Sequence, residues 1–323
     1  MRYVVYGAGA VGGVIGGRLH AAGSEVTLVA RGGHLHALRK GGLRLLTPDG
    51  EERHRIAAVG HPDELELGHD DVVLLTMKGQ DTVAALDVLR AAAPSGIAVV
   101  CAQNGVANER SALRRFEHVY GMCVWLPGVF LSPGTVVQHA APIAGSLDVG
   151  RYPTGDDDRA AVIAKDLSNA GFASKPDPAI MRAKYRKLLS NLGNALDAIC
   201  GDGFRSELYQ RAQAEAESVF AAAGVDVQPR EEAQLRHVAI KEVEGHEWAG
   251  SSSRQSLLRG TGSIEADYLN GEIVLLGRLH GVPTPVNELL QREANAAARN
   301  GLAPGSVPIA HLEARLAARE VRR

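Results

Sequence analysis

Three polar residues in the second half of the chain have a spacing that brings them onto one face of a helix. Lys187 is followed by Asn191 and Asn194. At about 100° per helical residue, their side chains fall at about 0°, 40° and −20°, and this narrow stripe offers an ammonium group and two amides to a ligand. The apolar residues lie on another side: Leu188, Leu192, Leu196 and Ile199. The stripe faces either solvent or a cleft between domains, and the poor helix propensity of exposed asparagine favours the cleft.

A second polar group comes later, where Ser251-Ser-Ser253 is followed by Gly262-Ser-Ile-Glu-Ala-Asp-Tyr-Leu-Asn-Gly271. Ser263 has the side chain of a helix N-cap, which predicts that Glu265 lies in the first helical turn. The helix dipole favours a charged carboxylate there. Glu265 could pair with Lys187 or with a substrate group. It could also be one of the acidic residues common at helix N-termini, and the pattern alone favours that interpretation.

The elements that position these groups begin with a glycine motif at the N-terminus. The apolar run Tyr3–Tyr6 leads into Gly7, Gly9 and Gly12 in G-x-G-x-x-G spacing, and a helix-like run and a second strand follow. In this context the motif predicts a dinucleotide site, because Gly7 permits a tight turn, Gly9 gives a pyrophosphate room and Gly12 lets helix and strand pack closely. A glycine turn without a ligand is the alternative, and the flanking elements disfavour it.

The end of the second strand indicates which dinucleotide binds. NAD usually requires an acidic residue about 20 residues past the glycine motif, to bind the ribose 2′-hydroxyl. Residues 26–33 contain no acidic side chain, and Arg31 ends the strand. A guanidinium group there can bind the 2′-phosphate of NADP through charge-assisted hydrogen bonds. Arg31 could also be a solvated surface residue, but the missing carboxylate favours NADP.

Two more buried strands end in polar residues. The apolar run from Asp71 to Met77 is followed by Lys78, and the run from Ile97 to Cys101 is followed by Gln103-Asn104-Gly105. In open α/β sheets, ligands bind beyond the carboxyl ends of the strands. Taken alone, Lys78 is a loop lysine and Asn104-Gly105 a turn. Their equivalent positions after two strands favour a role in the site.

The composition is that of an ordinary globular protein, and a length of 323 residues predicts two domains. A formal net charge of −2 argues against nucleic acid or an anionic membrane as the main partner. The three cysteines lack metal-ligand spacing and are typical of a reducing compartment. No signal peptide and no apolar run of about 20 residues is present, so the sequence predicts a cytoplasmic protein. The cysteine spacing gives no reason to expect a metal site.

The helical pattern changes the fold class after residue 176. Asp177-Pro178 is a strong helix start, and the pattern runs to about Cys200. Further helical segments follow, without convincing strands. The sequence therefore predicts an α/β fold with an N-terminal Rossmann-type dinucleotide-binding domain over residues 1–176 and an all-helical domain over 177–323. Apolar faces in the helical part favour a homodimer.

Taken in order, the motifs resemble those of the 2-dehydropantoate 2-reductases (ketopantoate reductases) over nearly the whole chain. The segments that carry the resemblance are Gly7-Ala-Gly-Ala-Val-Gly12, Arg31, Lys78-Gly-Gln80, Gln103-Asn-Gly105, Lys187-x3-Asn191, Ser252-Ser253 and Glu265-Ala-Asp-Tyr-Leu-Asn-Gly271. The resemblance implies NADPH-dependent reduction of 2-dehydropantoate to pantoate, a step of pantothenate and coenzyme A biosynthesis.

The same resemblance implies a role for each matching residue. Lys187 would donate a proton as hydride reaches the ketone carbon, and Glu265 would hold the substrate hydroxyl. A cationic lysine beside the carbonyl oxygen stabilises the developing alkoxide and supplies the proton. The implied cofactor-binding residues are Gly7, Gly9, Ala10, Val11, Gly12, Arg31, Lys78 and Asn104, and the implied substrate-binding residues are Asn191 and Ser253. Asn194 is added as a candidate because it lies on the same stripe as Lys187.

Two departures from the family pattern fall on the substrate half. The family usually has a second asparagine eight residues after the lysine, followed by Ala-Leu-Thr. Here that position is Ala195, and Asn194 comes one residue earlier, before Ala-Leu-Asp197. The family's methionine after the serine pair is Arg254. The alternatives are therefore a paralogous NADPH-dependent reductase of another 2-oxo acid or carbonyl compound, and a non-catalytic NADP(H)-binding sensor, which would not need Lys187 and Glu265.

Overall fold

The computed structural model describes residues 1–201, 203–234 and 238–320. The strands in this part of the chain are β1 (Arg2–Tyr6), β2 (Glu25–Val29), β3 (Leu43–Thr47), β4 (Gly50–His54), β5 (Ala57–Val59), β6 (Val72–Leu75), β7 (Ala98–Cys101), β8 (His118–Trp125), β9 (Gly128–Ser132), β10 (Thr135–Gln138) and β11 (Ser146–Arg151). The helices are α1 (Ala10–Ala21), α2 (Gly32–Gly41), α3 (Thr82–Ala92), α4 (Asn108–Leu113), α5 (Asp158–Asn169), α6 (Ile180–Asn191), α7 (Asn194–Cys200), α8 (Glu207–Ala222), α9 (Arg230–Gln234), α10 (Ser252–Leu258), α11 (Asn270–His280), α12 (Pro285–Arg299) and α13 (Ile309–Glu320).

The chain divides into two compact units. Unit 1 comprises Met1–Lys184 and Arg230–Trp248, and unit 2 comprises Tyr185–Pro229 and Ala249–Arg323. The sequence predicts a boundary after residue 176, whereas this division falls inside α6. The prediction also assigns residues 230–248 to the helical domain, whereas in the structure Arg230–Trp248 belongs to unit 1.

A seven-stranded sheet forms the centre of unit 1, with the strand order β11-β8-β7-β6-β1-β2-β5. Neighbouring strands are parallel except for β11, which runs antiparallel to β8. All residues of β6 and β7 are buried, as expected of strands covered on both faces. With the helical unit 2, this parallel sheet confirms the predicted α/β class.

Helix α1 is rich in glycine because it packs between two sheets. Unit 1 has a second sheet, of order β4-β3-β10-β9. A Cβ atom at Gly16 would lie 2.8 Å from Leu28 of the main sheet, whereas one at Gly13 would lie 2.7 Å from Val136 of the second sheet. Such distances leave no room for a methyl group on either face. The helix is therefore apolar all round rather than amphipathic.

Residues 238–248 return to unit 1 through pairing with distant residues. Ile240 forms an antiparallel bridge with Ala140. Lys241 donates its backbone N–H to the His139 carbonyl oxygen at 2.8 Å, and the Trp248 ring lies edge-on to His139, with centroids 5.4 Å apart. These partners are about a hundred residues away in sequence, so a local pattern does not predict them.

Unit 2 is helical, as the sequence predicts, but the first predicted helix is interrupted. The sequence predicts one helix from Asp177 to about Cys200. The structure ends α6 at Asn191 and begins α7 at Asn194, with a turn at Leu192-Gly193 between them. The prediction of one continuous helix is therefore wrong, whereas the direction of Asn194 relative to Lys187 stays a prediction. None of the described helices is long and apolar enough to cross a membrane.

Candidate functional site

One row of paired residues marks the edge of the main sheet where the N-terminal candidates lie. Across β2, β1, β6 and β7 the register pairs Val29 with Tyr6, Tyr6 with Leu75, and Leu75 with Cys101. The predicted cofactor residues come within three positions after these strand ends: Gly7, Arg31, Lys78 and Asn104. Because the strands are parallel, the structure brings these four residues to the same edge.

The three motif glycines have different surroundings. Gly7 has φ of +110°, a conformation that side chains rarely tolerate. A Cβ atom at Gly12 would lie 2.5 Å from Thr76 Oγ1 and 2.9 Å from Val5 Cγ1, whereas one at Gly9 would have no atom within 4 Å. The turn predicted for Gly7 and the close packing predicted for Gly12 are thus present. Gly9 faces open space at the start of α1.

The start of α1 suits an anionic ligand. The first turn contains no acidic residue, and Gly9, the N-cap, has no side chain to cap the helix. Ala10 and Val11 are the first two residues of the helix, so their N–H groups belong to the four that lack intrahelical acceptors. Free N–H groups at the positive end of a helix dipole are a common anion site. The room around Gly9 therefore fits a dinucleotide pyrophosphate.

His34 supports the glycine loop and was not predicted from the sequence. Its Nε2 lies 2.6 Å from the Ala8 carbonyl oxygen, and its Nδ1 accepts the Gly134 backbone N–H at 2.9 Å. Since Nδ1 accepts, Nε2 carries the proton and donates to Ala8. Burial lowers the pKa of His34, so the neutral ring is favoured.

Arg31 is exposed at the N-terminus of the same helix, α2.

Hydrogen bonds connect the loops that carry Lys78 and Asn104. The Gln103 amide donates to the Met77 carbonyl oxygen and to Thr82 Oγ1, both at 2.8 Å. Thr82 in turn donates to Asn108 Oδ1 at 2.9 Å. The two strand-end loops are therefore held at a fixed separation by buried side chains.

A buried ion pair lies beside these loops. Lys184 Nζ is 2.5 Å from Glu109 Oε1, and the exposed fractions of the two side chains are 2% and 0%. Sequence reasoning missed both residues. The available signal was a second lysine one helical turn before Lys187, but its partner is 75 residues away.

In unit 2, the predicted stripe does not face bulk solvent. Lys187 is 9% exposed, Asn194 is buried and Asn191 is half-buried. Asn191 Oδ1 is buried and has no hydrogen-bond partner within the described chain. A buried amide oxygen without a donor is unusual, because the lost hydration is not replaced. A bound ligand with an N–H or O–H group would supply the donor.

The serine segment is buried next to the start of α7. Ser251 caps α10 by accepting the Arg254 backbone N–H at 3.2 Å, and its own N–H donates to Asp197 Oδ2 at 2.9 Å. Ser253 is buried on α10. The Ser252 hydroxyl is buried and, among the described residues, has no hydrogen-bond partner.

Glu265 is buried, with 5% exposure, so it does not decorate an exposed helix terminus. It begins a 3₁₀ turn, Glu265–Tyr268, whose N-cap is Ile264. The prediction that Ser263 caps the first turn is therefore wrong. Downstream, the Asn270 amide donates to the Leu192 carbonyl oxygen at 3.2 Å and supports the turn between α6 and α7.

Among the described residues, no group of three or more His, Cys, Asp or Glu side chains could hold a metal ion.

Comparison with known proteins connects this arrangement to one family. The family "Ketopantoate reductase PanE/ApbA" matches residues 3–154, and its C-terminal counterpart matches residues 179–298. A 2-dehydropantoate 2-reductase of Halobacterium salinarum is 31% identical over 93% of this chain and 100% of its own length. The structure of a PanE/ApbA family ketopantoate reductase from Ralstonia eutropha JMP134 aligns with a TM-score of 0.78, at 29% identity over 93% of this chain and 99% of that chain.

A second solved structure shares the fold at lower identity. D-mandelate dehydrogenase, determined with NADH and anilino(oxo)acetate, also has a TM-score of 0.78, with 23% identity over 93% of this chain and 99% of that chain. At this level the likeness extends to the fold only.

Proposed function

We propose that this chain, which belongs to the ketopantoate reductase family of oxidoreductases, catalyses the NADPH-dependent reduction of 2-dehydropantoate to pantoate. The observation that carries the proposal is the buried polar stripe of unit 2. It combines Lys187, a buried amine, with Asn191, whose buried carbonyl oxygen lacks a donor within the described residues. A structural role does not account for that oxygen, whereas a hydroxylated substrate would.

The residues at the edge of the main sheet would hold the cofactor. Gly9 leaves room for the pyrophosphate, the N-terminal turn of α1 at Ala10 and Val11 would bind it, and Arg31 would bind the 2′-phosphate. When bound, NADPH supplies the hydride. Lys78 and Asn104 follow the paired ends of β6 and β7, and we assign them to the nicotinamide end.

The helical unit would supply the acid. Reduction of a ketone develops negative charge on its oxygen, and the Lys187 ammonium group would stabilise this charge and then donate the proton. Glu265 would accept a hydrogen bond from the substrate hydroxyl, and Asn191, Asn194 and Ser253 would hold the remaining polar groups. Burial strengthens each of these interactions, because water no longer competes for the donors and acceptors.

A second candidate is a reductase of a different 2-oxo acid with the same lysine chemistry. The observation in its favour is that the two departures from the family pattern meet in the structure. Arg254 Nη1 lies 3.9 Å from Asp197 Oδ1, next to the buried serine segment. A charged pair at this place alters the surroundings of Ser253 and hence the shape of the substrate site.

Steady-state oxidation of NADPH distinguishes these functions. The purified protein is assayed with 2-dehydropantoate and, as matched controls, with linear and aromatic 2-oxo acids. The proposal predicts the highest kcat/KM for 2-dehydropantoate. Higher kcat/KM for another 2-oxo acid would establish the second candidate. Tight NADPH binding without turnover of any carbonyl compound would point to an NADP(H)-binding sensor.

We also propose a homodimer. Helix α11 exposes two leucines one turn apart, Leu275 and Leu279. Apolar side chains at this spacing form a stripe that a second subunit could cover. Size-exclusion chromatography with light scattering measures the molecular mass of the protein in solution. A molecular mass of 34.1 kDa, that of one chain, would contradict the proposal.

A further inference from the structure

The ion pair between Lys184 and Glu109 has a specific position in unit 1. Lys184 is on α6, and Glu109 is in the first turn of α4, the helix that follows the Asn104 loop. Besides its ion pair, the Lys184 ammonium group donates to the carbonyl oxygens of Gln103 at 3.0 Å, Met122 at 3.3 Å and Cys101 at 3.4 Å. The ammonium group thus connects the end of β7 and the middle of β8 with the loop that follows β7.

Stability alone does not explain this pair. Removing two charges from water has a large desolvation cost, and replacing a buried ion pair with apolar residues of similar volume is often neutral or stabilising. Here the pair is enclosed, since a Cβ atom at Gly121 would lie 3.4 Å from Lys184 Cδ and 3.5 Å from Glu109 Oε1. What an apolar pair cannot supply is a donor for the three backbone carbonyl groups.

Hydrogen bonds to two backbone carbonyl groups determine the path of the Asn104 loop. Lys184 holds the Gln103 carbonyl oxygen, and the Asn108 amide holds the Asn104 carbonyl oxygen at 3.0 Å. With both carbonyl groups held, the peptide planes on either side of Asn104 are fixed, and so is the direction in which its side chain leaves the backbone. The Gln103 side chain, bound to the Met77 carbonyl oxygen, extends the same constraint to the Lys78 loop.

We propose that Lys184 and Glu109 are a positioning pair that sets the conformation of the Asn104 loop for binding of the nicotinamide nucleotide. Lys184 orients the Gln103 carbonyl group of the loop, and Glu109 provides the negative charge that keeps the ammonium group in place. The inference rests on the proposed function only in assigning Asn104 to the cofactor site. It does not depend on which carbonyl compound is reduced.

The test separates stability from positioning by removing one charge and then both. Lys184→Met and Glu109→Leu each leave one buried charge without its partner, so both are expected to lower the melting temperature. The double variant removes both charges and is expected to recover most of that loss. It still lacks the donor, so its Kd for NADPH should rise by about tenfold or more. Arg115→Met, which breaks the ion pair of Arg115 with Asp87 near the end of α4, serves as the matched control and should leave Kd unchanged.

Two measurements make the outcome decisive. NADPH binding is followed by fluorescence titration without a carbonyl substrate, so a wrong substrate assignment does not affect it. Amide hydrogen exchange of residues 103–105 reports on the loop and should become faster in the double variant. Wild-type Kd and wild-type exchange in a folded double variant would overturn the proposal. If the double variant does not fold, Glu109→Gln, which keeps the side-chain shape, should raise Kd and loop exchange, and wild-type values for both would equally overturn it.

Discussion

The Asp197 carboxylate accepts the backbone N–H of Ser251 at 2.9 Å and thereby connects the first turn of α7 with the cap of α10. The chain approaches closely here, since Gly250 has φ of +79° and a Cβ atom there would lie 3.1 Å from Asp197 Oδ2. Ser251 Oγ also approaches the Asn194 carbonyl oxygen at 3.5 Å. The positions of Asn194 and Ser253 therefore depend on Asp197.

Replacing Asp197 should impair substrate binding more than cofactor binding. A hydrogen bond to a charged group contributes about 1.5–3 kcal/mol, so Asp197→Ala should raise KM for the 2-oxo acid roughly tenfold or more and leave the Kd for NADPH unchanged. Asp197→Asn keeps an acceptor and should recover most of the affinity. Arg254→Ala removes the ion pair and keeps the hydrogen bond between Asp197 and Ser251, so its effect on KM should be smaller than that of Asp197→Ala. A wild-type KM in Asp197→Ala would contradict the prediction.

Two glycines of the N-terminal motif should respond differently to the same added methyl group. Gly9→Ala meets no atom within 4 Å, so the melting temperature should stay at the wild-type value while the affinity for NADPH falls. Gly12→Ala places a Cβ atom 2.5 Å from Thr76 Oγ1, so the melting temperature itself should fall. Thermal melting and nucleotide titration of both variants check this. Unchanged NADPH affinity in Gly9→Ala would contradict the assignment of the pyrophosphate to the space beside Gly9.

Arg31 should select between the two dinucleotides. Arg31 is exposed at the N-cap of α2, so its side chain is accessible to a 2′-phosphate. Arg31→Ala should weaken NADPH binding by about 10–100-fold and NADH binding far less, since NADH lacks the phosphate. The ratio of the two dissociation constants is the measurement. Equal losses for both nucleotides would rule out the assignment.

His34 should make the stability of the protein depend on pH. Burial lowers the pKa of the folded ring below its ordinary value of 6.5. As pH falls below that value, the unfolded chain takes up a proton that the folded ring resists, so the free energy of unfolding falls. His34→Gln keeps an amide donor and acceptor without titrating, and its melting temperature should fall less than that of the wild type between about pH 7 and 5. Parallel curves for the two proteins would show that His34 does not contribute.

Features with a local cause could be predicted from the sequence. The roles of Gly7 and Gly12 follow from the motif and its flanking strand and helix, and both appear in the geometry. The common edge of Lys78 and Asn104 follows from the general rule for parallel strands. The burial of Glu265, in contrast, is decided by neighbours that no periodicity reveals, and the pattern alone favoured an exposed helix terminus.

Features that depend on distant partners could not be predicted. The interruption after Asn191 is supported by Asn270, whose amide reaches the Leu192 carbonyl oxygen across 78 residues of sequence. The pair of Lys184 and Glu109, and the return of residues 238–248 to unit 1, have the same cause. In each case contacts with residues distant in sequence override the helical pattern or give an ordinary residue a special position.

The proposed role of Lys187 is to supply the proton during carbonyl reduction. The most direct test measures kcat for 2-dehydropantoate and Kd for NADPH in Lys187→Ala, with Lys165→Ala, an exposed lysine on α5, as the control. Loss of a general acid should lower kcat by about 10²–10⁴-fold. We expect this loss with wild-type NADPH affinity, and no loss in the control. Near-wild-type kcat in Lys187→Ala would contradict it.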